Sequence, residues 1–213
     1  MDLVIGGGKY GCKAVEYLRE SNRDFVVVDV NPNCEVVKVF NLKKSDKIKS
    51  KGKYFIQGDL SKVLEVLEIV KPEFVFPTAP IHIAAELARI KFNLKPWSEE
   101  VDRILTGLPM RVVVSCGTGT ITVSYNRDSI CLENCSSPDV CPVTKLKKPC
   151  PMYELIRFAY PNAFVLISQQ LKPGLGAILG GDLIEFLKWA EDKDRFVVAT
   201  SCKCHGVITA LTR

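Results

Sequence analysis

Leu3-Val4-Ile5-Gly6-Gly7-Gly8-Lys9-Tyr10-Gly11 is the stretch that decides the fold. Its three leading apolar residues read as a strand, and the run Lys13 to Arg19 beyond the glycines reads as a helix. Strand, glycine turn and helix in that order match the G-x-G-x-x-G pattern. Gly6 makes the tight turn, Gly8 lets the backbone approach a pyrophosphate, and Gly11 lets the helix lie close to the strand. The helix N-terminus then aims its N–H groups at the phosphates. A second apolar run, Phe25-Val26-Val27-Val28, ends in Asp29, 18 residues after Gly11. A carboxylate at that place accepts hydrogen bonds from an adenosine ribose and disfavours a 2′-phosphate. With no arginine in Val30-Asn31-Pro32, NAD(H) is expected rather than NADP(H). Lys9 and Tyr10, inside the turn, and Thr78, after a later strand, join the expected dinucleotide contacts.

Working outward, further strands are expected at Tyr54 to Gln57 and Glu73 to Phe76. Helices are expected at Leu60 to Val70 and Ile81 to Leu94, whose apolar residues recur at the roughly 3.6-residue helical period. This alternation predicts an α/β fold with a parallel sheet covered on both faces. Lys95-Pro96-Trp97-Ser98 interrupts the pattern, Glu99 to Thr106 reads as a short helix, and Gly107-Leu108-Pro109 closes the first lobe. The expected organisation is therefore a Rossmann-like lobe over 1–107 and a second α/β lobe over 108–213. In the latter, Arg111 to Ser115 and Thr120 to Tyr125 flank Cys116-Gly117-Thr118-Gly119 as a hairpin. A helix (Met152 to Ala159), a strand (Ala163 to Ser168), a long helix (Leu175 to Glu191), a strand (Arg195 to Thr200) and a helix-like tail from Gly206 follow. No internal repeat recurs at a fixed period.

Val4-Ile5-Gly6-Gly7-Gly8-Lys9-Tyr10-Gly11, Val28-Asp29 and Gly58-Asp59-Leu60 together resemble the TrkA-type nucleotide-binding domain, which regulates potassium transport. The resemblance runs over about residues 1–80. It implies that Gly6, Gly8 and Gly11 hold the pyrophosphate, that Asp29 takes the adenosine ribose and that Asp59 lies near adenine. The opening glycines also look like those of precorrin-2 dehydrogenases, which use NAD to oxidise a tetrapyrrole. Neither resemblance extends to the cysteine-rich remainder of the chain.

Nine cysteines need a reading that depends on compartment. Met1-Asp2 enters the first strand at once, leaving no room for a signal peptide, and no uncharged apolar run approaches the ~20 residues of a membrane span. A cytoplasmic protein is expected, in which thiols read as metal ligands or redox groups before disulfides. Cys131-x3-Cys135-x5-Cys141-x8-Cys150 gathers four thiols, two of them followed by proline, and Cys202-Lys203-Cys204-His205 adds a second group. Thiolates in such number can enclose an iron-sulfur cluster or a tetrahedral zinc, and Cys-Pro accompanies cluster ligands because the ring stiffens the loop. The spacing matches neither the common zinc knuckle nor the ferredoxin run. An iron-sulfur cluster, zinc and unligated thiols all stay open. Cys131, Cys135 and Cys141 form the expected core of the site, with Cys150, Cys202 or Cys204 completing it.

The remaining candidates are single residues. Cys12 stands in the first turn of a helix, where the dipole can lower a thiol pKa, although a small packing residue there serves equally. His82 opens a helix after the fourth strand, as a proton carrier or as a cap. Cys34 and Cys116 read as packing residues. No Ser-His-Asp or paired-carboxylate arrangement can be placed.

Composition bounds the partners. A hydrophobic share of 47% with 25% charged residues is that of a globular chain. The net charge of +5 is concentrated in Lys43 to Lys53, where no ring system is interleaved, so a solvated loop is expected there and nucleic-acid binding is not. Membrane insertion is not expected either. The function these features suggest is an NAD(H)-binding redox protein with an iron-sulfur cluster, acting in electron transfer or redox sensing. A redox partner protein or a small-molecule substrate would then be its counterpart, and assembly as a homodimer is compatible with the length. The alternatives are a non-catalytic TrkA-type regulator with structural zinc, and an NAD-dependent tetrapyrrole dehydrogenase.

Overall fold

The computed structural model describes residues 1–213 and shows an α/β protein. In chain order its elements are β1 (Asp2–Ile5), α1 (Lys9–Glu20), β2 (Phe25–Asp29), α2 (Glu35–Phe40), β3 (Lys43–Lys44), β4 (Lys53–Gln57), α3 (Leu60–Val70), β5 (Phe74–Pro77) and α4 (Ile83–Phe92). There follow β6 (Lys95–Pro96), α5 (Ser98–Gly107), β7 (Val113–Gly117), β8 (Thr120–Ser124), α6 (Met152–Ala159), β9 (Phe164–Lys172), β10 (Leu175–Leu179), α7 (Gly180–Glu191), β11 (Arg195–Ser201) and β12 (His205–Thr212). They fall into two compact units, Met1–Lys91 with Ala177–Glu185, and Phe92–Gly176 with Phe186–Arg213.

In the first unit the strands run β3-β4-β2-β1-β5, all parallel, and Ile178 and Leu179 of β10 pair antiparallel with Val75 and Phe74. All of β1 and Phe25 to Val28 of β2 are buried, as continuous apolar runs must be when helices cover both sheet faces. Helix α1 contributes Ala14, Val15 and Leu18 to that cover, and α3 contributes Val63, Val66 and Leu67. Because β1 lies between β2 and β5, the loop after β1 sits where the strand order reverses, the place at which such sheets bind ligands. The opposite end of β1 is locked. Buried Asp2 accepts from Arg23 Nε at 2.5 Å and Nη2 at 2.9 Å, and from the Phe74 N–H at 3.0 Å. The lysines of 43–53 are exposed, with Lys43 and Lys44 forming the charged edge strand β3 that discourages further strand addition.

In the second unit the order is β9-β11-β12-β8-β7, with β6 beside β12. Only β9 and β11 are parallel; the remaining pairs are antiparallel. Val101 and Ile104 of α5 and Met152 and Ile156 of α6 pack on Val197, Ala199, Ile208 and Ala210 of the sheet.

Three expectations change. Leu175 to Glu191 is not one helix: Leu175–Leu179 is strand β10, and α7 begins at Gly180, whose N–H donates to the Glu73 carbonyl at 2.8 Å. A side chain at Gly180 would run into the Pro72 carbonyl, so this junction admits only glycine. The tail from Gly206 is strand β12, paired along its length with β11 and in part with β8. Its Val207, Ile208 and Thr209 are β-branched, and pairing with β11 favours the strand that their shape prefers. The units also divide at Lys91 and Phe92 rather than near 107, because α5 buries its apolar face in the second unit, and Ala177–Glu185 returns to the first. No helix is long and apolar enough to cross a membrane.

Candidate functional site

The glycine loop of the first unit is built from its neighbours. Gly6 has φ +106°, a conformation that suits glycine, and Thr78 Oγ1 lies 3.0 Å from the Ile5 carbonyl and 2.8 Å from that of Gly6, tying the end of β5 to the turn. A side chain at Gly11 would meet the Gly6 carbonyl, whereas one at Gly8 would meet nothing within 4 Å. Gly6 thus makes the turn, Gly11 packs against it, and Gly8 leaves open space in front of α1. Gly11→Ala should cost about 2 kcal/mol or more by forcing the loop off the helix. Urea denaturation measures this, and a wild-type midpoint would show that the helix does not need the close approach.

Asp29 closes the loop from the side. Its Oδ2 accepts from the Gly7 N–H at 2.6 Å and its Oδ1 from the Asn31 N–H at 2.7 Å, while lone pairs on both oxygens remain for a sugar hydroxyl. Cys34, buried, fills the space over Gly7, and the Val36 N–H donates to the Gly7 carbonyl at 2.9 Å. No sequence pattern marks this packing of Cys34 and α2 against the loop. Asp59 caps α3, accepting from the N–H groups of Ser61 at 2.9 Å and Lys62 at 3.3 Å. The Gly58 N–H bonds the Asp29 carbonyl at 3.0 Å, which holds this cap next to the end of β2. Lys9 and Tyr10 are exposed at the start of α1, whose cap residue Gly8 offers no side-chain acceptor. Cys12 is not activated: burial, reinforced by Glu35, Cys34 and Glu16, pushes its thiol up to about 11. Burial likewise holds His82 near 3, neutral at pH 7.

In the second unit the cysteine loop and the β11–β12 turn meet. His205 Nε2 lies 3.1 Å from Cys131 Sγ, and its Nδ1 lies 3.8 Å from Cys202 Sγ. Five of the six expected cysteines accept an N–H at sulfur. Asn126 Nδ2 reaches Cys131 at 3.2 Å, the Ser137 N–H reaches Cys135 at 3.4 Å, and the Cys204 N–H reaches Cys202 at 3.4 Å. Lys148 Nζ reaches Cys204 at 3.1 Å, and the backbone of Val143 and Thr144 serves Cys141. Burial works against the Cys141 thiolate, but the Thr144 hydroxyl, these N–H groups and the Lys148 charge hold its pKa below the ordinary value. Desolvation of the His205 ring outweighs the opposing pull of Cys141 and, with Lys148, lowers its pKa. Cys150 stands differently: Tyr125 donates to its carbonyl at 2.8 Å, with the sulfur 3.8 Å from that hydroxyl.

This donor set suits a thiophilic metal. Hydrogen bonds from N–H groups to ligand sulfurs orient thiolate ligands and set the properties of the metals they hold. Asn126 Oδ1 is buried without a partner beside the Cys131 sulfur, an acceptor left over in the same cluster. No three of the His, Cys, Asp and Glu side chains surround one point in ligating geometry. The His205 ring turns Nε2 to Cys131 and Nδ1 to Cys202. Rotation of these side chains would be needed to close a shell. Lys148 and Asn126 were not anticipated; Lys147-Lys148-Pro149-Cys150 carried a cue for the lysine, and nothing marked the asparagine.

Two family models match the chain. AF_1314_N, described as the N-terminal domain of an uncharacterized protein, matches residues 1–83, and AF_1314_C, described as its C-terminal domain, matches residues 83–213. A protein of Archaeoglobus fulgidus, itself described only as uncharacterized, is 55% identical over 215 residues spanning the whole of both chains. No solved structure matches.

Proposed function

The chain belongs to the AF_1314 family, and from its two sites we propose that it is an NAD(H)-binding redox protein whose second unit holds an iron-sulfur cluster through cysteine thiolates. The observation that carries the reading is the set of N–H donors on five sulfurs, an outlay of polar groups that packed, inert thiols do not need. The dinucleotide half rests on the glycine loop at the reversal of strand order, with Asp29 beside it. When bound, the nicotinamide supplies hydride chemistry and the cluster one-electron chemistry. The protein's own part is to hold them. Gly8 gives the pyrophosphate access, Asp29 receives the ribose, and Cys131, Cys141, Cys202 and Cys204 are the ligands favoured by their neighbours, with Cys135 and Cys150 flanking them. Electron transfer and redox sensing both follow from such a pair of groups, in a cytoplasmic setting where thiols stay reduced.

His205 favours a second reading. Imidazole among thiols suits zinc, which would make the centre structural and the protein a nucleotide-binding regulator of the TrkA type. Anaerobic purification with metal analysis separates the two: a brown protein containing iron and sulfide supports the cluster, and a colourless protein with one zinc supports the regulator.

Asp29→Ala tests the dinucleotide half. Losing a charged acceptor should weaken NADH about tenfold and narrow the preference over NADPH. Calorimetry on folded wild-type protein that detects no dinucleotide binding would remove this half of the proposal.

A further inference from the structure

Beside the thiol group, the second unit has a cleft of about 370 Å³ that neither half of the proposed function uses. Four cations line it, Arg111, Arg127, Lys147 and Lys148, against one carboxylate, Asp128. Asp128 is taken by Arg127 Nε at 3.4 Å, and Arg127 Nη1 also donates to the Met110 carbonyl at 3.0 Å. Lys148 Nζ is turned to Cys204 Sγ and to the Ser137 carbonyl at 3.2 Å, and no carboxylate answers it. Arg111 and Lys147 are exposed and form no ion pair. Between the cations the wall is apolar, made by Pro109, Val112, Leu146, Leu155 and the Tyr125 ring.

Three of these cations, Arg111, Lys147 and Lys148, have no carboxylate partner, and cations so gathered around an apolar floor raise the local concentration of anions and hold them at fixed points. A volume of this size takes a small molecule rather than a chain segment. We propose that the cleft binds a small organic anion with an apolar ring body, its acidic groups on Arg111 and Lys147 and its body against Val112, Leu155 and Tyr125. Lys148 joins this ligand to the thiols, because the same ammonium lines the cleft and bonds Cys204, so an anion bound there sits next to the proposed redox centre. The site stands on its own lining and does not depend on dinucleotide binding.

The test uses the full-length protein and 1-anilinonaphthalene-8-sulfonate, a fluorescent ring system with one anionic group. Saturable binding of one dye per chain is expected, with affinity about tenfold lower in the Arg111→Met, Lys147→Met double variant, which changes two exposed side chains outside both sites described above. N-phenyl-1-naphthylamine, the uncharged counterpart, should bind at least about tenfold more weakly than the sulfonate. NADH should leave the dye in place. Unchanged affinity in the double variant, equal binding of the uncharged compound, or an absence of saturable binding would each overturn the proposal. Displacement of the dye by NADH would overturn it as well, by assigning the dye to the glycine loop; NADH failing to bind at all would strike only the dinucleotide reading.

Discussion

Cys141→Ser is expected to reduce bound metal at least tenfold in anaerobically prepared protein, measured as iron or zinc per chain. The surroundings of its sulfur favour the thiolate. The Thr144 hydroxyl, two backbone N–H groups and the Lys148 charge all favour ionisation over the cost of burial. Serine keeps the volume but ionises far less readily, so the shell loses a ligand while the loop keeps its shape. Thr144→Val should give a smaller fall, since it removes a hydrogen bond to the ligand and leaves the ligand itself; losses of this kind reach about ten- to a hundredfold in affinity. Wild-type protein carrying less than about one iron or zinc per chain, prepared without oxygen, would decide against a metal and leave these cysteines as reactive thiols.

Acid should destabilise the first unit through His82. Its ring is buried and its pKa falls from 6.5 in the unfolded chain to about 3 in the fold. The unfolded state therefore takes up the proton first. The contribution is fully present above pH 6.5, shrinks as pH falls, and is gone by about pH 3. By pH 4.5 the loss should be ~3 kcal/mol, a large share of the stability of an ordinary domain. His82→Gln will have its own cost at pH 7, so the informative quantity is the difference in unfolding free energy between pH 7 and pH 4.5 in each protein. The wild type should lose the larger amount. Equal losses would mean that His82 is protonated in the fold, or that its ring reaches solvent.

The glycine loop and the thiol group differ in how far sequence reaches. The places of Gly6, Gly8, Gly11 and Asp29 were legible because they are local or set by a fixed supersecondary unit: a turn, a helix start and a strand end at a regular separation. The parallel sheet of the first unit followed for the same reason, since its strands are continuous apolar runs separated by helical patterns. Periodicity failed at Leu175–Leu179 and at His205–Thr212. In both, apolar residues are dense enough to fit either period, and pairing with strands distant in sequence chose between them: β5 for the first, β11 and β8 for the second. The seat of Cys34 under Gly7 was hidden too, because it depends on α2 packing back on the loop.

Cysteine spacing alone could name the thiols but not their arrangement. A one-dimensional spacing records which ligands a loop contains, whereas the shell around a metal depends on which of them face one another. Only the tertiary structure brought Cys131 to His205 across more than 70 residues of chain. It alone supplied Asn126 and Lys148 as donors to sulfur, and it alone set Arg111 and Lys147 around the same cleft. By itself, then, the sequence determined the class of fold, the glycine turn and the stock of thiols, because these depend on short-range sterics and on side-chain chemistry. The neighbours of each thiol, the strand at the C-terminus and the cationic cleft were decided by long-range pairing, in which the free energy of burying distant segments together outweighs what any local stretch prefers.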